Sequence, residues 1–155
     1  MTKNVTKNIT KTFASNVTRK EEFPIEIKNL DEDGFFEGYA SVFGVSDNHN
    51  DVILPGSFTQ TIAEKDFGKE VKLLWQHRAD EPIGVFTEVS EDDLGLYVKG
   101  RLLLELEKGR EAYLLLKNDA VKGLSIGFTV KEWDYDEKTG ARLIFEVDLW
   151  EISLV

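Results

Sequence analysis

The sequence predicts an α+β fold: a small, mostly antiparallel β-barrel of six or seven strands flanked by short helices. Three observations lead there. Apolar and polar residues alternate with a period of two through most of residues 23–155, turn-forming clusters of Gly, Asp and Asn interrupt that alternation at short intervals, and only two segments have helical spacing. With 155 residues, 41% of them hydrophobic, the chain has material for one core and is short for two.

Residues 1–20, MTKNVTKNITKTFASNVTRK, stand apart. They carry Lys3, Lys7, Lys11, Arg19 and Lys20 without an acid, a charge of +5 against −15 for the rest of a chain whose net charge is −10. Few apolar anchors occur in them, so a basic, mobile N-terminal tail is expected, with residues 21–155 forming the domain. Three N-x-T triplets fall in this stretch and read as compositional. An acidic body repels phosphate, so nucleic acid is not an expected partner, while the tail can meet an acidic one.

The first strand pair is FPIEIKNL with GFFEGYASVFG, joined by a turn at Asp31 to Gly34. A polar loop, VSDNHNDVILPG, comes next, and Ser57 is positioned to cap a short helix in SFTQTIAEKDF. KEVKLLWQH, PIGVFTEVS and LGLYVKGRLL supply three more strands, and Glu105 to Asn118 a second amphipathic helix through Leu106, Ala112, Tyr113, Leu115 and Leu116. GLSIGFTVKEWDYD and ARLIFEVDLWEISLV, linked by DEKTG, form a closing hairpin. The apolar run Ile152 to Val155 suggests a shortened or processed C-terminus.

Composition removes whole classes of chemistry. The absence of cysteine excludes disulfide scaffolds, thiol catalysis and cysteine-ligated metal. No leader follows Met1 and no apolar run approaches a membrane span, so a soluble intracellular protein is expected. Two histidines, His49 and His77, are the neutral-pH bases available.

Gly123, Ser125 and Gly127 have the spacing G-x-S-x-G, which in one hydrolase fold marks a nucleophilic serine. That fold requires a helix after the serine and a histidine downstream of it. Here FTVKEWDY reads as strand, and no histidine follows Ser125. A triad in the order His, Ser, acid remains open, since the same geometry arises in unrelated chain orders. His77 ends an apolar strand with Leu73 and Trp75 on its face, whereas His49 sits in a polar loop. The residues alone equally allow a structural histidine at 77 and a serine of no consequence between bulge glycines.

Leu124, Ile126 and Phe128 can face the core while Ser125 faces away, and Gly123 and Gly127 then leave room for a substrate backbone or supply oxyanion amides. Glu146, Asp148, Glu151, Asp134 and Asp136 are candidate acids. Glu151 stands out because it interrupts the apolar LWEISLV, where a carboxylate needs a partner. Asp47, His49 and Asp51, in the spacing D-x-H-x-D, offer a metal-dependent alternative, although a solvated turn accounts for them as well.

NDVILPGSF, LLWQHRADEPIG, GLSIGF and WEISLV, in this order from about Gly38 to Val155, resemble the prohead maturation proteases of tailed bacteriophages, serine proteases related in fold to herpesvirus assemblins. The resemblance implies His77 as general base, Ser125 as nucleophile and Glu151 as third member, although the viral relatives place a second histidine there. It implies a small β-barrel and no metal or cofactor. It also implies cleavage of the scaffold or delta region of the major capsid protein, and of the protease itself, inside the assembling procapsid in the host cytoplasm. A homodimer is a further implied partner, because activity in the viral relatives depends on dimerisation. The competing reading is a catalytically silent capsid-assembly or scaffold-interaction module.

Overall fold

A computed structural model describes residues 27–155, and the predicted basic tail lies outside them. Among the described residues, seven strands and two short helices follow one another. They are β1 (Phe35–Val42), β2 (Asp51–Ile53), α1 (Thr59–Glu64), β3 (Lys72–Trp75), β4 (Arg78–Glu91), β5 (Gly95–Leu102), α2 (Glu107–Lys117), β6 (Leu124–Tyr135) and β7 (Arg142–Leu154).

All seven strands belong to one sheet, whose main path runs β1-β5-β4-β3-β7, and the fold is the expected mixture of strands with short helices. The closed antiparallel barrel is corrected. β1 and β6 approach one another without pairing, so the sheet curls into an open half-barrel with a cleft between them. Two pairings are parallel, since one edge of β7 takes β2 at Arg142 to Ile144 and β3 at Glu151 to Leu154, while its other edge pairs antiparallel with β6. These parallel pairings join segments 70 or more residues apart, which period-two alternation cannot reveal.

Several predicted elements shift for physical reasons. Within the described part of FPIEIKNL only Lys28 pairs with β1, through a bridge to Glu37, although the turn at Asp31 to Gly34 is present. The loop VSDNHNDVILPG contains β2, whose residues are all buried, so its Asp-rich flank concealed a core strand. Both Leu73 and Leu74 are buried, because β3 lies between β4 and β7 and is covered on both faces.

Ser57 does not cap α1. Its hydroxyl, fully buried, lies 2.6 Å from the Leu54 carbonyl and 2.9 Å from that of Ile144. The Glu91 carboxylate on β4 instead fixes the segment that leads into the helix, accepting the N–H groups of Phe58 at 2.7 Å and Gly56 at 3.1 Å. Thr61 then ties α1 to β7, donating to the Val147 carbonyl at 2.9 Å and accepting the Leu149 N–H at 3.2 Å.

Helix α2 buries Gly109, Ala112 and Leu116, while Leu106 and Leu115 of its expected apolar face are exposed. Gly109 is required by close approach, since a Cβ there would stand 2.0 Å from the Leu103 carbonyl oxygen. The core thus assembled includes Phe58, Leu73, Ile83, Leu96, Leu149 and Ile152 at full burial. It surrounds β3 and β7, the strands that carry the site, and leaves them little freedom to move.

Candidate active site

β3 and β4 are joined by the two-residue turn Gln76-His77, with Trp75 and Arg78 paired across its base. Both turn residues have positive φ, 49° and 60°, the conformation that a two-residue hairpin turn of matching twist demands. Without glycine this costs roughly 1–2 kcal/mol per residue. Two hydrogen bonds to β7 hold it: the Gln76 N–H donates to the Leu154 carbonyl at 3.0 Å and the His77 N–H to the Ser153 hydroxyl at 2.9 Å. His77 therefore sits not at a strand end but in a strained, anchored turn that aims its ring at β6 and β7.

On β6 and β7 the register places Ser125 opposite Ser153 and Gly127 opposite Glu151. Residues two apart share a face, so Ser125, Glu151 and Ser153 stand together. The His77 ring bridges the two strands, with Nε2 3.0 Å from Ser125 Oγ and Nδ1 hydrogen-bonded to Glu151 Oε1. A carboxylate oxygen facing Nδ1 suits the tautomer with the proton on Nδ1, in which Nε2 is free to accept the serine hydroxyl. The second Glu151 oxygen accepts the Ser153 hydroxyl at 2.6 Å.

Exposure grades across this group. The Glu151 side chain is 14% accessible and that of His77 44%, so the acid is enclosed while the base reaches solvent. A cleft of about 690 Å³ between β1 and β6 opens beside His77 and Ser125. Ile126, Phe128 and Val130 line it and are only partly buried; of the residues expected to face the core, Leu124 is buried, while Ile126 and Phe128 pack against the core's edge and form the apolar wall of the cleft.

The other candidate acids are engaged elsewhere. Asp148 pairs with Lys65 at 2.5 Å, and that hydrogen bond holds its carboxyl below the usual range. Glu146 faces Lys131 at 3.9 Å, Asp134 accepts the Tyr135 N–H, and Asp136 is buried within the turn to β7. Only Glu151 of the five bonds to His77.

At the far end of the cleft, Asp51 takes a bidentate bond from Arg142 at 2.8 and 2.7 Å, which raises the guanidinium above its already high range. Asp47 accepts the N–H groups of His49 and Asp51. These bonds leave the D-x-H-x-D segment built as a turn, and among the described residues no cluster of three or more His, Asp and Glu is arranged around a metal.

Gly127 has a specific reason to be glycine. A Cβ there would stand 2.5 Å from Glu151 Oε1, so the space beside it is filled by the acid rather than left for a substrate. Gly123 exchanges backbone hydrogen bonds with Val155, and by antiparallel alternation the amides of Ser125 and Gly127 also turn toward β7. The groups of Leu124 and Ile126 are the ones directed to the free edge. Ser153 was not singled out by sequence; its signal was the i, i+2 spacing from Glu151 on a strand already suspected.

The caudovirus prohead serine protease family matches residues 22–155 of the chain. The chain belongs to that family. It is 34% identical over 136 residues to the prohead protease of Enterobacteria phage HK97, covering 86% of this chain and 60% of that protein. Against the prohead protease of Escherichia phage T5 the identity is 26%, over 83% of this chain and 62% of the relative. A capsid polyprotein of Pseudomonas phage PAJU2 is 33% identical over 145 residues, 89% of this chain and 20% of that protein. The chain thus spans less than two thirds of these relatives. In fold it resembles the capsid assembly protease of bacteriophage T4, with a TM-score of 0.57 at 12% identity, covering 85% of this chain and 92% of that one.

Proposed function

We propose that the chain is a serine endopeptidase of phage head maturation in which Ser125 is the nucleophile, His77 the general base and Glu151 the orienting acid. The observation that carries this is the His77 ring, held between the Glu151 carboxylate and Ser125 Oγ at 3.0 Å. A serine hydroxyl is a poor nucleophile at neutral pH and needs such a base.

In attack on a peptide, Ser125 Oγ bonds to the carbonyl carbon as its proton passes to His77 Nε2. Glu151 stabilises the imidazolium, which then protonates the leaving amine as the C–N bond breaks. Water, deprotonated by the same nitrogen, releases the acyl group and restores the hydroxyl. An extended substrate would lie in the cleft along the unpaired edge of β6, meeting the apolar wall of Ile126 and Phe128. Family membership and the capsid polyprotein relative favour a capsid protein within the procapsid as substrate.

The nucleophile is tested with a fluorophosphonate probe and peptide mapping. Ser125 oxygen bonds to phosphorus, fluoride leaves, and His77 takes the hydroxyl proton. Labelling of Ser125, lost in Ser125→Ala together with cleavage of co-expressed capsid protein, is expected. Labelling at Ser57 or Ser153 instead, or unimpaired cleavage by Ser125→Ala, overturns the assignment, and absence of both activities points to a silent assembly module.

A further inference from the structure

We infer that Ser153 is a positioning residue of the proposed site, fixing both the acid and the base through one hydroxyl. The inference rests on the proposed roles of Ser125, His77 and Glu151 and extends them. Ser153 is fully buried, and its Oγ does two things at once. It accepts the backbone N–H of His77 at 2.9 Å and donates its own proton to Glu151 Oε2 at 2.6 Å. Glu151 Oε1 in turn meets the ring of the same histidine. The result is a closed circuit in which one hydroxyl ties the backbone of His77 to the carboxylate that orients its side chain.

Each link answers a physical need. His77 has φ of 60°, and its N–H points into a region from which water is excluded at Ser153. Left unpaired there, that N–H would favour relaxation of the turn. Glu151 has a flexible side chain on the rim of the core, and a single bond to the imidazole would leave it free to rotate. The Ser153 hydroxyl removes that freedom by holding the second oxygen, and because it comes from β7 itself, acid and clamp move as one body. Ser153 is fully buried and does not line the cleft.

The separating experiment is a double-mutant cycle read by the rate of fluorophosphonate labelling at Ser125. Ser153→Ala is expected to slow labelling by about 10²-fold, the scale on which misplacing a catalytic group by an ångström acts. In a Glu151→Ala background the same change is expected to cost clearly less, because of the two links only the one to the His77 N–H is then left to lose. Labelling of Ser153→Ala at the wild-type rate overturns the inference, and so does an equal further loss in both backgrounds, which is the mark of a purely structural residue.

Should Ser153→Ala fail to fold, Ser153→Cys keeps the shape with a weaker donor and is expected to fold and to label more slowly than wild type. Wild-type labelling by that variant would equally refute the inference. Failure of wild-type protein to label at Ser125 would instead refute the proposed function itself.

Discussion

The two ends of β7 pair charge in opposite ways. Toward its start Arg142 holds Asp51, and midway along it Lys65 holds Asp148, each carboxylate set against a basic side chain. At its end, Glu151 meets an imidazole, that of His77, the side-chain type suited to serve as a base. Arg142 and Asp51 lock β2 to β7 at the far end of the cleft. The same strand therefore supplies a bidentate ion pair where the sheet must be held and a carboxylate–imidazole pair beside a serine hydroxyl.

The sharpest way to break this contrast is to remove the imidazole while keeping its backbone. His77→Asn does so, since asparagine tolerates positive φ better than most residues and offers no base. Fluorophosphonate labelling of Ser125 is expected to fall on the order of 10³-fold with the thermal midpoint little changed, because a triad acts as a unit. Labelling near the wild-type rate would mean that the His77 contact is structural, like its counterpart at Arg142.

A smaller loss is expected from Gly127→Ala. The added methyl would fall 2.5 Å from Glu151 Oε1 and 3.0 Å from its Cδ, and the flexible carboxylate, not the backbone, is what gives way. Labelling should drop about 10²-fold while urea unfolding is nearly unaffected, because the acid moves off the imidazole but the sheet keeps its register. A large loss of stability without slower labelling would place the importance of Gly127 in packing.

Arg142→Met reverses the pattern. It strands the Asp51 carboxylate, only 6% exposed, without its cation, and should lower unfolding free energy by about 3 kcal/mol in urea titration. The labelling rate of the folded fraction should stay at the wild-type value. Loss of labelling on the scale of His77→Asn would show that the two ends of β7 are not functionally separate.

The same contrast explains what was legible beforehand. His77, Ser125 and Glu151 were legible because each breaks a local pattern: a polar residue at the end of an apolar strand, a serine between glycines, a carboxylate inside LWEISLV. The strands β4 to β7 followed from alternation and turn residues. The parallel pairing of β2 and β3 with β7 was not legible, since it joins distant segments and Asp51 reads as a loop residue until Arg142 is seen beside it. Ser153 was hidden for a related reason: a buried serine is ordinary until its two partners, one of them a backbone N–H from another strand's turn, are known.

The mildest expected effect concerns Asp148, the other carboxylate of β7's neighbourhood held by a basic side chain. The hydrogen bond from Lys65, against some desolvation, keeps its carboxyl below the ordinary value. A group depressed in this way stabilises the fold above its unfolded pKa, and that contribution disappears as pH falls through the lowered folded value. The side chains of Lys65 and Asp148 are 24% and 40% exposed, so the contribution is screened and small. Asp148→Asn should therefore melt slightly below wild type at neutral pH, with the gap narrowing as the solution is acidified and labelling at Ser125 unchanged. A gap that stays constant with pH would locate the contribution in packing against Lys65 rather than in charge. Slower labelling would place Asp148 with Glu151 instead of with Asp51, and so redraw the boundary between the two ends of the strand.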